Sequence, residues 1–395
     1  MADPGLTGTV VVAHPGAELY GSDRMALESM IGLVERGWRV VLAVPTAGPL
    51  VAEARRHGIE TELLDSPVLR KSLLRPQALA DLLADSGAAS RRIGDLLRRV
   101  RPDVVYVSTI SIPLWIARAR LLRIPVVCHV HQSERGAAEP AREALTHPIG
   151  LANRVVVNSV FTKDSLLEVA PELATRATVV ANGVVGPAEV VPPRERLDGR
   201  MRLLCLGRVS PGKGVDVAVE ALARVVAGGL DAELEVVGDA LPGYEWFLDA
   251  LRARAVALGL ADRVTFSGFR PEVWTAMAEA DLVLTPARDE EPFGITAVEA
   301  VLAARPVAVS AIGGLAEAVE GFASAIPVTP SDPASLAAAI QHVAADWAAL
   351  RLTALATAPL AADRYRPDRY RAAIARQLRL AAADTAAPTP LAQVG

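Results

Sequence analysis

The sequence predicts two doubly wound α/β domains in tandem, each a parallel sheet covered by helices on both faces. Three observations carry this. Short β-branched runs alternate with helical patterns along the chain. The runs are apolar nearly throughout, as strands buried on both faces must be. The alternation breaks once, at "GPAEVVPPRERLDGR" (186–200), where Pro187, Pro192, Pro193 and clustered charges read as a linker.

In the first series the expected strands are "TVVVAHP" (9–15), "RVVLAVP" (39–45), "TELLD" (61–65), "DVVYVST" (103–109), "PVVCHVH" (125–131), "RVVVNS" (154–159) and "TVVAN" (178–182). Between the first two, Leu27, Met30, Ile31 and Val34 recur at helical spacing, and Gly37 ends the helix. The second series runs "MRLLCLG" (201–207), "AELEVVG" (232–238), "RVTFSGF" (263–269), "DLVLTPA" (281–287), "RPVAVSA" (305–311) and "SAIPV" (324–328). Val217, Ala218, Ala221, Leu222, Val225 and Val226 give the helix after its first strand an apolar stripe. Residues 331–380 read as Ala-rich helix, and "TAAPTPLAQVG" as a disordered tail. The expected organisation is an N-terminal Rossmann-like domain over 1–190, a C-terminal Rossmann-like domain over 191–360, and a C-terminal helix with its tail over 361–395 that packs back on the first domain. Ligand crevices of such sheets lie at the carboxyl ends of the strands, so the site is expected in a cleft between the two domains.

The bulk numbers narrow the function class. The chain has 395 residues, 51% hydrophobic but only 4% aromatic, so Ala, Val and Leu must build the core. Its 41 basic and 45 acidic residues leave a formal charge of −4, which argues against a dedicated nucleic-acid binder. Cys128 and Cys205 each lie in an apolar run and read as buried thiols of a reducing compartment. The N-terminus carries Asp3 and no basic segment, so no secretory signal is expected. No apolar run reaches the ~18 residues of a membrane span. The expectation is a cytoplasmic α/β enzyme.

Two stretches carry chemistry. "CLGRVSPGKGVDVAV" (205–219) has Gly207, Gly212 and Lys213 at the spacing of a Walker A loop, but Gly214 stands where that loop needs a hydroxyl for Mg²⁺. A P-loop ATPase is therefore not expected. The stretch still joins a strand to a helix, where backbone N–H groups hold anions, and Arg208 and Lys213 add two cations. The bland reading is a Gly-rich βα turn with two solvated cations. In "DEEPFGITAVEAVLAARPVAVSAIGGLAEAV" (289–319), Glu291 and Glu299 form E-x7-E, with Pro292 suited to a first helical turn. Two carboxylates suit a polyol, since each accepts more than one O–H bond. The bland reading is an acidic helix start that complements the dipole.

With these stretches in view, the chain resembles family-4 retaining glycosyltransferases of the GT-B fold. "LGRVSPGKGVDVAVEAL", "VGD", "VTFSGF", "EPFGITAVEA" and "RPVAVSAIGGLAEAV" stand in that family's order, and "GSDRMALESMIGLVERGWRVVLAV", "VVVNSVFTKDSL" and "VVANGV" resemble its N-terminal segments. The resemblance covers most of residues 9–325. It implies two Rossmann-like domains facing a cleft, a nucleoside-diphosphate-sugar donor, an unidentified acceptor and no cofactor. By the same resemblance, Arg208 and Lys213 grip the donor diphosphate, and Glu299 holds the ribose. Glu291 lies near the donor sugar. Gly207 and the backbone of Phe293, Gly294, Ile295 and Thr296 face the donor. Gly21, with Ser22 beside it, lets the backbone approach the leaving phosphate. His131, at the end of its strand, touches the donor sugar; His129, two residues earlier on the same pleat face, is the reserve, and a hydrogen-bonded core histidine is the bland reading of either. The chain departs from the family pattern at Tyr20 (commonly Gly), Asp23 (commonly Glu) and Val185 (often Asp). No D-x-D occurs, so no metal requirement is expected.

Acceptor recognition is expected in the N-terminal domain. There "LRKSLLRP" (69–76) and "RRIGDLLRRVRP" (91–102) carry Arg70, Lys71, Arg75, Arg91, Arg92, Arg98, Arg99 and Arg101. They suit a solvated helix face, which is the favoured reading, with an anionic membrane surface or lipid-linked phosphate as the alternative. The rival functions are a sugar-nucleotide epimerase on the same fold and a non-catalytic nucleotide-sugar-binding protein. A pyridoxal-phosphate phosphorylase would need a Schiff-base lysine, and from the linker onward Lys213 is the single lysine. A nicotinamide dehydrogenase would need a G-x-G-x-x-G after a first strand, which neither series has.

Overall fold

The computed structural model describes residues 8–69, 76–133, 135, 139–240, 243–270 and 272–384. The expected tail and the basic residues Arg70, Lys71 and Arg75 lie outside them. The chain divides into two compact units: residues 1–183 with 367–395, and residues 184–366.

The first unit runs β1 (Thr9–Ala13), α1 (Gly21–Val34), β2 (Arg39–Val44), α2 (Pro49–Arg56), β3 (Glu60–Leu63), α3 (Pro76–Val100), β4 (Val104–Val107), α4 (Pro113–Leu121), β5 (Val126–Val130), α5 (Glu139–Thr146), β6 (Arg154–Val157), α6 (Val160–Leu167) and β7 (Ala177–Val179). Its strands form a seven-stranded sheet in the order β3-β2-β1-β4-β5-β6-β7, with every pairing parallel. Val10, Val11 and Val12 of β1 and Val104 to Val107 of β4 are fully buried, as central strands covered on both faces require.

The second unit runs β8 (Met201–Leu206), α7 (Val215–Ala227), β9 (Ala232–Val237), α8 (Glu245–Ala257), β10 (Val264–Gly268), α9 (Trp274–Glu279), β11 (Leu282–Thr285), α10 (Ile295–Leu302), β12 (Val307–Ser310), α11 (Gly313–Val319), β13 (Ala325–Val328), α12 (Pro333–Ala345) and α13 (Trp347–Arg364). Its six-stranded sheet has the order β10-β9-β8-β11-β12-β13, again with parallel pairings. The linker read from the prolines is pinned to this unit. Arg194 makes a two-pronged contact with the fully buried Asp281 (2.9 and 2.6 Å). Fully buried Arg305 donates to Val191 O at 3.0 Å and Ala278 O at 2.6 Å.

After Arg366 the chain returns to the first unit as α14 (Pro367–Ala383), which packs on α1. This corrects the stripe expected for α1. Leu27 and Val34 are half-buried, whereas Met25, Ala26, Ser29, Met30 and Leu33 are buried, because α1 is covered by the sheet and by α14. The apolar stripe of α7 is as expected from Val217 to Val225; Val226 packs at the margin of the core.

Candidate active site

In each sheet the strand order reverses once, between β1 and β4 and between β8 and β11. Such a reversal leaves a crevice beyond the strand ends, because the following helices depart to opposite faces. Both units place polar groups there.

In the second unit a pocket with about 430 Å³ of empty space lies beyond β8 and β11. Gly207, Arg208, Lys213, Glu291, Gly294 and Thr296 of the sequence-predicted set line it together. The Lys213 ammonium lies 2.8 Å from Glu291 Oε1, and both side chains are partly exposed. The resemblance places that carboxylate near the donor sugar; in this structure it neutralises the cation. Phe293 and Ile295 turn their side chains away. Phe293 is buried edge-on against Tyr365, with ring centroids 5.6 Å apart, and Ile295 packs on the same core. Glu299, five residues into α10, is buried and does not line the pocket.

The backbone explains the residues that spoil the Walker pattern. Pro211–Lys213 forms a 3₁₀ turn, and Gly214 caps α7 in the left-handed region at φ 69°. A Cβ at Gly214 would overlap the Pro286 carbonyl oxygen, so no serine or threonine fits. The Gly212 carbonyl accepts from Arg288 N at 2.8 Å, tying this turn to the loop after β11. Gly294, at φ 131°, has Leu315 where a Cβ would go, at 2.6 Å. The first pocket loop is therefore set by close backbone approach, and the second by the Leu315 side chain packed against Gly294. Apolar strand ends, Cys205, Leu206, Val236 and Leu284, form the floor. Burial pushes the Cys205 thiol up to about 12, so it is no nucleophile at neutral pH; both cysteines are free thiols, as expected.

In the first unit, Gly21 and Ser22 open α1, and His131 is the first residue past β5. The His131 ring stacks on His129, with centroids 3.8 Å apart. Its Nε2 is enclosed without a hydrogen-bond partner in the protein. Burial, with a smaller contribution from His14, holds His131 down at about 3, so the ring is neutral. His129 is fully buried, and burial followed by the neighbouring His131 holds it well below its ordinary value.

Sequence reasoning missed the group at the β1–β4 reversal. His14, the first residue past β1, has Nδ1 2.5 Å from Ser108 Oγ and Nε2 2.6 Å from Asp23 Oδ1. All three are buried. Asp23 Oδ2 accepts from Tyr20 N at 2.8 Å. The departure at Asp23 thus has a local role: one short carboxylate closes the loop on His14 and caps α1 at once. The strand-end position that singled out His131 applies equally to His14.

On the basic helix, Arg98 pairs with Asp95 and Arg99 with Glu62, each at 2.9 Å, and Arg92 donates to Asp65 O at 3.0 Å. These contacts favour the solvated-face reading for those three residues. No helix among the described residues is long and apolar enough to cross a membrane.

Comparison with known proteins bears on this geometry. Residues 200–346 match the family described as glycosyl transferases group 1, and residues 20–185 match glycosyltransferase family 4. The chain is 31% identical over 279 residues to a 2-deoxystreptamine glucosyltransferase of Streptomyces kanamyceticus, covering 64% of this chain and 70% of that protein. It is 29% identical over 382 residues to a D-inositol 3-phosphate glycosyltransferase of Catenulispora acidiphila, covering 88% and 87%. The structure of HepE from Anabaena in complex with UDP and glucose superimposes with a TM-score of 0.79 at 21% identity, over 94% of this chain and 99% of that one.

Proposed function

The chain belongs to the family-4, group 1 glycosyltransferases, with the two Rossmann-like units of the GT-B fold, and from that premise we propose that it moves a sugar from a nucleoside diphosphate to an acceptor hydroxyl with retention at the anomeric carbon. The observation that carries this reading is the convergence of Arg208, Lys213 and the Gly294 turn on one pocket beyond β8 and β11. Two cations and the start of α10 suit a diphosphate there.

The chemistry follows from where charge grows. As the sugar–phosphate bond breaks, the leaving oxygen becomes negative and the sugar positive. Arg208 and Lys213 stabilise the leaving charge, and loss of one such preorganised group costs on the order of 10²–10³ in rate. In this structure Glu291 pairs with the Lys213 ammonium. A diphosphate takes over that cation and releases the carboxylate to the sugar hydroxyls. By the family pattern Glu299 holds the ribose, which requires its buried carboxylate to be uncovered when the donor binds, and the neutral His131 ring meets a hydroxyl of the donor sugar. Attack from the face that the diphosphate leaves gives retention, with the leaving phosphate accepting the acceptor proton. Gly21 and Ser22 at the start of α1 approach that phosphate. No metal bridge is part of this scheme, and the proposed setting is cytoplasmic. The acceptor is a polyhydroxylated small molecule, as the names of the two relatives suggest.

A panel of nucleotide sugars, scored for free nucleoside diphosphate with and without cyclitol acceptors, tests this reading. Acceptor-dependent release is expected. Binding without release, or interconversion of the sugar without acceptor, would replace it with a binding protein or an epimerase.

A further inference from the structure

Behind His131 lies a buried chain of hydroxyls that the scheme above does not use. Tyr106 of β4 has its hydroxyl 2.5 Å from His129 Nδ1 and 3.3 Å from Ser29 Oγ. Ser29 Oγ is 2.7 Å from the Tyr370 hydroxyl of α14 and 2.8 Å from Met25 O. Ser29, Tyr106, His129 and Tyr370 are all at most 2% exposed.

The proton positions follow from counting donors. All four contacts form at once in one arrangement. Ser29 donates to Met25 O, Tyr370 and Tyr106 each donate to Ser29 Oγ, and His129 Nδ1–H donates to the Tyr106 hydroxyl. Burial raises both phenols above their ordinary value, so each keeps the proton it donates. The neutral His129 ring then carries its proton on Nδ1, and its Nε2 is enclosed without a partner. One tautomer and one ring orientation are thereby selected. His129 and His131 share a face of the β5 pleat, and their rings meet at 3.8 Å with planes 38° apart. The plane against which His131 rests is therefore set by hydroxyls on three other elements: β4, α1 and α14.

We propose that Tyr106 and Tyr370 are positioning residues for His131, acting through the ring of His129. The inference rests on the reading that His131 meets a donor hydroxyl, because only then does the ring's pose bear on turnover. It makes α14, the last described helix of the chain, part of the support for a substrate contact in the first unit.

The test is histidine ring ¹⁵N spectroscopy on the full unliganded chain, alongside donor consumption. In the wild type, His129 is expected as a single tautomer protonated at Nδ1. Tyr106→Phe releases Nδ1, so His129 becomes a tautomer mixture, and the His131 ring resonances move with it. Tyr370→Phe leaves the Tyr106 contact but withdraws the proton given to Ser29. It is expected to move the same resonances by less. In turnover, Tyr106→Phe lowers kcat on the order of 10-fold, as small misplacements of a contact group do, with little change in KM. Should Tyr106→Phe fail to fold, Ser29→Ala interrupts the path next to Tyr106 and is read in its place. Unchanged His131 resonances in folded Tyr106→Phe or Ser29→Ala chains, or an already mixed His129 tautomer in the wild type, would overturn the proposal. A wild type that consumes no nucleotide sugar would remove the donor reading, while the spectra still decide the positioning.

Discussion

Gly214 is where the pocket loop can be tested most sharply. Replacing it with serine restores the Walker hydroxyl on paper, so a reader of the motif alone would expect a better phosphate loop. The structure predicts the opposite. The residue sits at φ 69°, which costs an L-residue with a Cβ about 1–2 kcal/mol. The new Cβ would also overlap the Pro286 carbonyl oxygen, so the turn or the loop after β11 must shift. Forced overpacking of this kind costs about 1–3 kcal/mol. The sum is a destabilisation of about 2–5 kcal/mol. Because the clash belongs to the Cβ and not to the hydroxyl, Gly214→Ala should cost the same within about 0.5 kcal/mol, the usual scatter of a neutral change. Urea unfolding of the wild type and both variants measures this. A Gly214→Ser chain as stable as the wild type, or one that gains Mg²⁺-dependent ATP hydrolysis, would refute the reasoning about this turn.

Three further outcomes follow from the same geometry. Glu291→Gln frees Lys213 from an ion pair that is partly exposed and worth at most about 1 kcal/mol, so nucleoside diphosphate should bind up to about 5-fold tighter by calorimetry while turnover falls. Burial depresses the His129 and His131 pKa values, so the unfolded chain takes up protons below about pH 6.5 that the folded chain refuses down to about 3 at His131; stability should therefore fall as the pH drops from 6.5 toward 3, by about 1.4 kcal/mol per pH unit for each histidine, and a urea midpoint that is flat between pH 7 and 5 would count against their burial. Asp23→Asn leaves the cap on Tyr20 N but weakens the carboxylate contact to buried His14, and should cost about 1–3 kcal/mol by thermal or urea unfolding.

Every strand had a legible precursor in the sequence; the central ones were plainest, because a strand buried on both faces must be apolar throughout, whereas the edge strands β3 and β10 are partly exposed and mixed in polarity. The expected strands nevertheless overran at their carboxyl ends. His14, Thr109, His131, Gly207 and Ala287 were read as strand, yet each lies beyond its ladder. The apolar pattern does not stop where pairing stops; the residues just beyond it are the ones released toward the site. Arg208, Lys213, Glu291 and Gly294 were legible because they fall within two contiguous stretches. His14 and Ser108 were not, because 94 residues separate them and only the adjacency of β1 and β4 brings them together. The burial of α1 was misjudged for a similar reason, since the helix that covers its second side comes at the far end of the chain.

The central claim is that Arg208 and Lys213 clasp a diphosphate in the second unit. Each charge-assisted contact is worth about 1.5–3 kcal/mol, so removing both should cost roughly 10²–10⁴ in affinity. Titration calorimetry of UDP, GDP and ADP into the wild type and into the Arg208→Ala, Lys213→Ala double variant measures this directly. The account predicts that one of these nucleotides binds the wild type and that the double variant loses at least 100-fold of that affinity while remaining folded. Equal affinity for the wild type and the double variant would contradict it.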